Sequence, residues 1–89
     1  MRLILIIEPD LFDREKLRHR YAKYGIPLEI HDPLLAIRAA QMVKFDVVID
    51  AREKEHDPLY APFFGILRLV SPTTRLVACS SDGSEAELV

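Results

Sequence analysis

The chain has 89 residues, 49% of them hydrophobic, with six prolines, one cysteine and a formal net charge of -2. That length admits one domain with a modest core, and that charge excludes a molecule drawn as a whole to nucleic acid or to an anionic membrane. The single Cys79 excludes an internal disulfide and fits a reducing compartment; no apolar run reaches the ~20 residues of a membrane span or forms a secretory h-region, so the expectation is a soluble, cytoplasmic protein.

Leu3 to Ile7 is a continuous, branched apolar run, the pattern of a strand covered on both faces. Pro9 ends it, and Asp10 is placed to cap a helix with Asp13 in its first turn. Leu17, Tyr21 and Tyr24 mark the buried stripe of that helix, and Gly25 with Pro27 closes it. Between Asp13 and Tyr24 there are five basic residues and two acids, read as a solvated face or, more sharply, as a docking surface for an acidic partner.

Leu28 to His31 alternates like an edge strand. Asp32-Pro33 starts a second helix running to about Val43, with Leu34, Ile37 and Gln41 sharing a face. Asp46 to Asp50 is a second short strand buried on both faces, with Asp50 at its carboxyl end. Ala51 to Ala61 reads as a long loop, in which Asp57-Pro58 could start a helical turn. Pro62 begins or interrupts a helix with Phe63, Leu67 and Val70 on one face, stopped by Ser71-Pro72. Arg75 to Cys79 is the fourth strand, Ser80 to Gly83 a turn, and Ser84-Glu85-Ala86-Glu87 a capping box that announces a helix. The chain ends two residues later, too soon for that helix to sustain itself. The expectation is therefore the N-terminal part, residues 1–89, of a longer domain, or a domain completed by a partner chain.

Strands alternating with helices predict an α/β fold with a parallel sheet and helices on both faces. The first and third strands are the most apolar and belong in the middle, which gives the order 2-1-3-4 and no fifth strand or last helix. The fourth strand would then be an exposed edge, and a homo-oligomer is expected. The carboxyl ends of strands 1 and 3 gather Glu8, Asp10 and Asp50 at the switch point. Three carboxylates in one crevice repel each other, which protonation or a hard divalent cation such as Mg²⁺ relieves, and a carboxylate beside such a cation can attack phosphorus. Ser80 would lie on the same edge, its hydroxyl available to a phosphoryl oxygen.

Ile6-Ile7-Glu8-Pro9-Asp10 with Arg14-Glu15-Lys16-Leu17, Asp46-Val47-Val48-Ile49-Asp50, and Leu76-Val77-Ala78-Cys79-Ser80-Ser81 together resemble the first strand and helix, the acceptor strand and the switch strand of the receiver domain of bacterial two-component response regulators. The resemblance implies a flavodoxin-like (CheY-like) fold and a signalling module, not an enzyme, that at most accepts a phosphoryl group on itself. Asp50 would be the phosphoacceptor for a histidine kinase; Glu8, Asp10 and Asp50 would hold Mg²⁺; Ser80 would be the switch hydroxyl, and an output domain or partner would read the state. The chain departs from the pattern. The second acid after strand 1 falls on Pro9, and strand 3 is one residue short, so Ala51 competes for the acceptor position. Ala51-Arg52-Glu53-Lys54 replaces the usual Met-Pro, and the strand bearing the family's lysine lies beyond residue 89. These departures favour the alternative, a degenerate pseudo-receiver serving only as an interaction or dimerisation module. A small flavodoxin-like enzyme fragment is a third reading, with no nucleophile–base pair behind it.

The plainer roles are a helix cap for Asp10, solvated strand ends for Glu8 and Asp50, a turn-shaping serine at Ser80 and a buried strand cysteine at Cys79. His19, His31 and His56 lack metal-ligand spacing, and the aromatic residues offer no platform for nucleic acid.

Overall fold

A computed structural model describes residues 1–52, 60–81, 83, 84 and 86–89. In chain order the elements are β1 (Leu3–Ile7), α1 (Leu11–Tyr21), β2 (Ile26–Ile30), α2 (Pro33–Met42), β3 (Val47–Asp50), α3 (Tyr60–Val70), β4 (Arg75–Ala78) and β5 (Glu87–Leu88). The five strands form one sheet in the order β2-β1-β3-β4-β5; the first four run parallel, and β5 pairs antiparallel with β4. The placement of β1 and β3 at the centre follows from their composition, since Ile4 to Ile7, Val48 and Ile49 lose almost all contact with water.

Strand alternation divides the core into two layers. Leu5, Ile7 and Val48 face α2 and α3, where they meet Ala36, Ala40, Phe63, Phe64 and Leu67. Ile4, Ile6 and Ile49 face α1, where they meet Leu17, with Tyr21, Val47, Val77 and Cys79 half-buried at the margin. Among the described residues, α2 and α3 thus cover one face of the sheet and α1 lies on the other.

The local signals act as expected at the helix starts. Asp10 Oδ1 accepts the Asp13 N–H at 3.0 Å, and Asp32 Oδ1 accepts the Leu34 N–H at 2.7 Å ahead of Pro33. Other details differ. α1 ends at Tyr21, so Tyr24 lies outside the helix and is exposed. β2 begins at Ile26 and contains Pro27. The buried face of α2 is Ala36 and Ala40, with Leu34, Leu35 and Gln41 turned outward, because small side chains let this helix approach the sheet closely. Tyr60–Val70 takes Pro62 into its first turn, where a proline leaves no hydrogen bond unmade. The stretch of the expected loop from 53 to 59 lies outside the described residues.

Pro27 is tolerated because β2 is an edge. The Ile26 N–H donates to the Arg2 carbonyl and the Glu8 N–H to the Ile30 carbonyl. Residues 26, 28 and 30 therefore bond toward β1, and position 27 faces away, where its missing N–H interrupts the free edge.

The expectation that no fifth strand is present is overturned. The Ser80 hydroxyl donates to the Ser84 carbonyl at 2.8 Å and also bonds the Ser84 hydroxyl at 2.8 Å, which takes Ser84 away from capping a helix. Gly83 adopts φ +84 and turns the chain back. Glu87 and Leu88 then pair with Ala78 and Val77, and the Val89 N–H donates to the Leu76 carbonyl. The edge of β4 is covered, which removes the ground for expecting assembly through it.

Candidate functional site

The carboxyl ends of β1 and β3 are adjacent, with Ile7 paired to Asp50. Asp50 closes β3 with no exposed surface, and Arg52 beside it is 4% exposed. Asp50 Oδ1 first accepts the Arg52 backbone N–H at 3.0 Å, the local turn in which an aspartate bonds two residues onward. The guanidinium of the same arginine then closes on the carboxylate. Its Nε donates to Oδ1 at 3.0 Å and to Oδ2 at 3.1 Å, and its Nη2 donates to Oδ2 at 2.7 Å. The guanidinium carbon lies 4.6 Å from the centre of the Phe63 ring in α3. Both oxygens of Asp50 are thereby taken up by one fixed cation in a buried site, where breaking the pair would strand a charge.

Glu8 is one residue beyond Ile7, and alternation turns it to the α1 face, together with Ala51 and away from Asp50. It is 5% exposed; Oε1 accepts the Asp10 N–H at 3.1 Å, and Oε2 has no hydrogen-bond partner among the described residues. Burial raises the pKa of its carboxyl above the ordinary value, and the neighbouring Asp13, Asp10 and Asp50 raise it further, opposed by the Asp10 N–H. Arg14 reaches back from α1 to donate to the Glu8 and Pro9 carbonyls at 3.2 Å each, which pins the turn. Asp10 is exposed and occupied as the α1 cap. Ser80 is half-buried and its hydroxyl bonds within the turn before β5.

The expected constellation is therefore brought to one edge of the sheet without converging. Asp50 points toward α3, Glu8 toward α1, and Asp10 into its own helix. Among the described residues no three His, Cys, Asp or Glu side chains gather as a metal would require. As they are placed, Glu8, Asp10 and Asp50 do not fit a divalent cation, and the positive charge beside Asp50 is the guanidinium of Arg52. For transfer of a phosphoryl group, an Asp50 oxygen would have to reach phosphorus in line, and both oxygens are screened from the crevice.

Arg52 is the residue that the sequence reading passed over. Its signal was present: an arginine two residues after a strand-end acid shares that acid's face. Among the described residues no helix is long and apolar enough to cross a membrane. Compared with family models, with curated proteins and with solved structures, the chain matches none.

Proposed function

We propose that the chain is a receiver-like domain in which the acceptor site has become a structural ion pair, so that it works as a protein-interaction module without taking phosphate. The observation that supports this most is the fork of Arg52 on both oxygens of the fully buried Asp50. A phosphoacceptor needs an oxygen free to attack and a mobile cation to balance the incoming phosphate. Here the cation is tethered to the chain and the oxygens are its hydrogen-bond acceptors. Pro9 at the position of the second acid and the separation of Glu8 from Asp50 by strand alternation support the same reading.

On this reading the domain takes no phosphate from a histidine kinase, needs no Mg²⁺, catalyses no reaction, and passes information by docking to an output domain or partner. The test is intact mass after incubation of the folded protein with acetyl phosphate and Mg²⁺, beside its Asp50→Ala variant. No mass gain is expected in either. A gain of one phosphoryl group in the wild type that is lost in Asp50→Ala would replace this proposal with a working receiver that uses Asp50.

A further inference from the structure

Among the described residues the two faces of the sheet are unequally covered, and the thinly covered one carries a matched pair of features. α1 is tied at one flank to β2, where Arg18 Nε lies 3.9 Å from Glu29 Oε1. Its other flank faces β4 and the turn before β5, because a methyl group at Gly83 would fall 2.6 Å from Arg20 Cδ and 3.2 Å from a Leu17 methyl. Along that flank Lys16 and Arg20 follow at i and i+4 on α1, and Lys23 comes just past the C-cap Ala22, all exposed. Among the described residues no carboxylate pairs with any of the three; Lys23 Nζ rests instead 5.2 Å from the Tyr24 ring centre. Beside this stripe the sheet continues as an apolar strip. Val47 and Val77 are half-buried at the margin of the α1 layer, and Leu88, paired with Val77 and so on the same face, is 69% exposed.

From this surface, an apolar strip of Val47, Val77 and Leu88 beside a cationic row of Lys16, Arg20 and Lys23, we infer a docking site for an acidic amphipathic helix of a partner protein. The charge pattern selects the partner. The chain as a whole is negative at -2, so the cationic row is a local feature and opposes the overall charge. Lys16 and Arg20 lie about 6 Å apart along α1, with Lys23 just past its C-terminal end, and a helix lying alongside α1 presents carboxylates at i, i+4 and i+7 to meet them. Its apolar stripe then covers Val77 and Leu88, completing the second layer of the sheet as α2 and α3 do on the first. The inference rests on reading the chain as an interaction module and names the surface and the partner chemistry for it.

The probe is a synthetic helical peptide of about 15 residues, with leucines along one face and glutamates at i, i+4 and i+7 beside them. Its binding to the whole 89-residue chain is followed by fluorescence anisotropy. Binding is expected to weaken roughly tenfold in Lys16→Glu/Lys23→Glu, to weaken similarly in Leu88→Ser, and to fall with added salt. Both variants change exposed side chains, and circular dichroism checks that they fold. The inference is overturned if the peptide does not bind, if a shuffled peptide of the same composition binds equally, or if a version with lysine for glutamate binds equally. It is also overturned if light scattering shows that the wild type self-associates and that Leu88→Ser abolishes this, since this surface would then hold a second copy. Phosphoryl incorporation at Asp50 is a separate measurement. A protein that takes no phosphate and binds no peptide loses this site and keeps the module reading, whereas one that takes phosphate loses the reading itself.

Discussion

Arg52 lies with its guanidinium carbon 4.6 Å from the Phe63 ring centre while its nitrogens hold both oxygens of Asp50. The chain just after β3 is thus fastened at Arg52 to α3 through a charged side chain that is almost without solvent contact. A buried pair of this kind is costly to halve, because the surviving charge has lost its counter-ion and its water.

Arg52→Ala is accordingly expected to lower the stability of the fold by about 3 kcal/mol, and Asp50→Ala by a similar amount. The double variant Asp50→Ala/Arg52→Ala removes both charges and should lose clearly less than the sum of the two single losses. Urea denaturation of the four proteins reads this directly. Additive losses would mean that the pair carries no coupling and that each residue acts through other contacts.

Glu8 gives a pH dependence with a defined sign. Burial raises its folded-state pKa above the ordinary 4.5, so the folded chain binds the proton more tightly than the unfolded chain. The folded state therefore loses stability relative to the unfolded state as pH rises from 4.5 through the raised value, and the loss is complete above it. Glu8→Gln keeps an oxygen for the Asp10 N–H and carries no charge. It should be more stable than the wild type at neutral pH, by less than ~1 kcal/mol, with the difference vanishing below the ordinary pKa. Thermal melts of both proteins across that range would sink the idea if the wild type gained on the variant as pH rose.

Gly25 is fixed by space. A methyl group there would collide with the Arg2 carbonyl oxygen, which accepts the Ile26 N–H at 2.8 Å and so aligns β2 on β1. Backbone is what stands in the way, and it can retreat only by loosening that pairing. Gly25→Ala is expected to cost roughly 1–3 kcal/mol, comparable to an overpacked core site. An unchanged denaturation midpoint would mean that the start of β2 moves freely.

The features that were legible in the sequence are those decided within a few residues. Asp10 and Asp32-Pro33 announce their helices because a cap is a local hydrogen bond, and the branched runs of β1 and β3 announce the sheet because only burial on both faces accounts for them. What was not legible was decided by partners distant in the chain or by competition. In α2 the expected face of Leu34, Ile37 and Gln41 is half-buried only at Ile37, and Ala36 and Ala40 turn to the core because the closeness of helix to sheet favours the small residue, which no hydropathy pattern records. Ser84 has the sequence of a cap and loses it to Ser80, four residues earlier. Arg52 belongs to the class of residue least expected in a core, and its burial depends on Phe63 arriving from α3. The three acids of the candidate site were placed correctly at one edge. Their directions were not legible, because a one-residue offset between Glu8 and Asp50 sends neighbours on paired strands to opposite faces.

Pro27 supplies the last prediction, on pairing between copies along the β2 edge. β2 is an edge strand in which Ile26 and Leu28 are each about half exposed, a combination that invites a second strand to pair. The outward-facing position 27 lacks an N–H, so a neighbouring strand laid along this edge would find no donor where the ladder requires one. Pro27→Thr restores the donor and a branched side chain suited to a strand. It is expected to produce concentration-dependent dimerisation by light scattering under conditions where the wild type does not associate through this edge. A further change of Leu28→Lys in the same background should reverse it, because a charge on an exposed strand opposes pairing with its own copy. A Pro27→Thr protein that stays monomeric at high concentration would show that the backbone of β2 is shielded by something other than its proline.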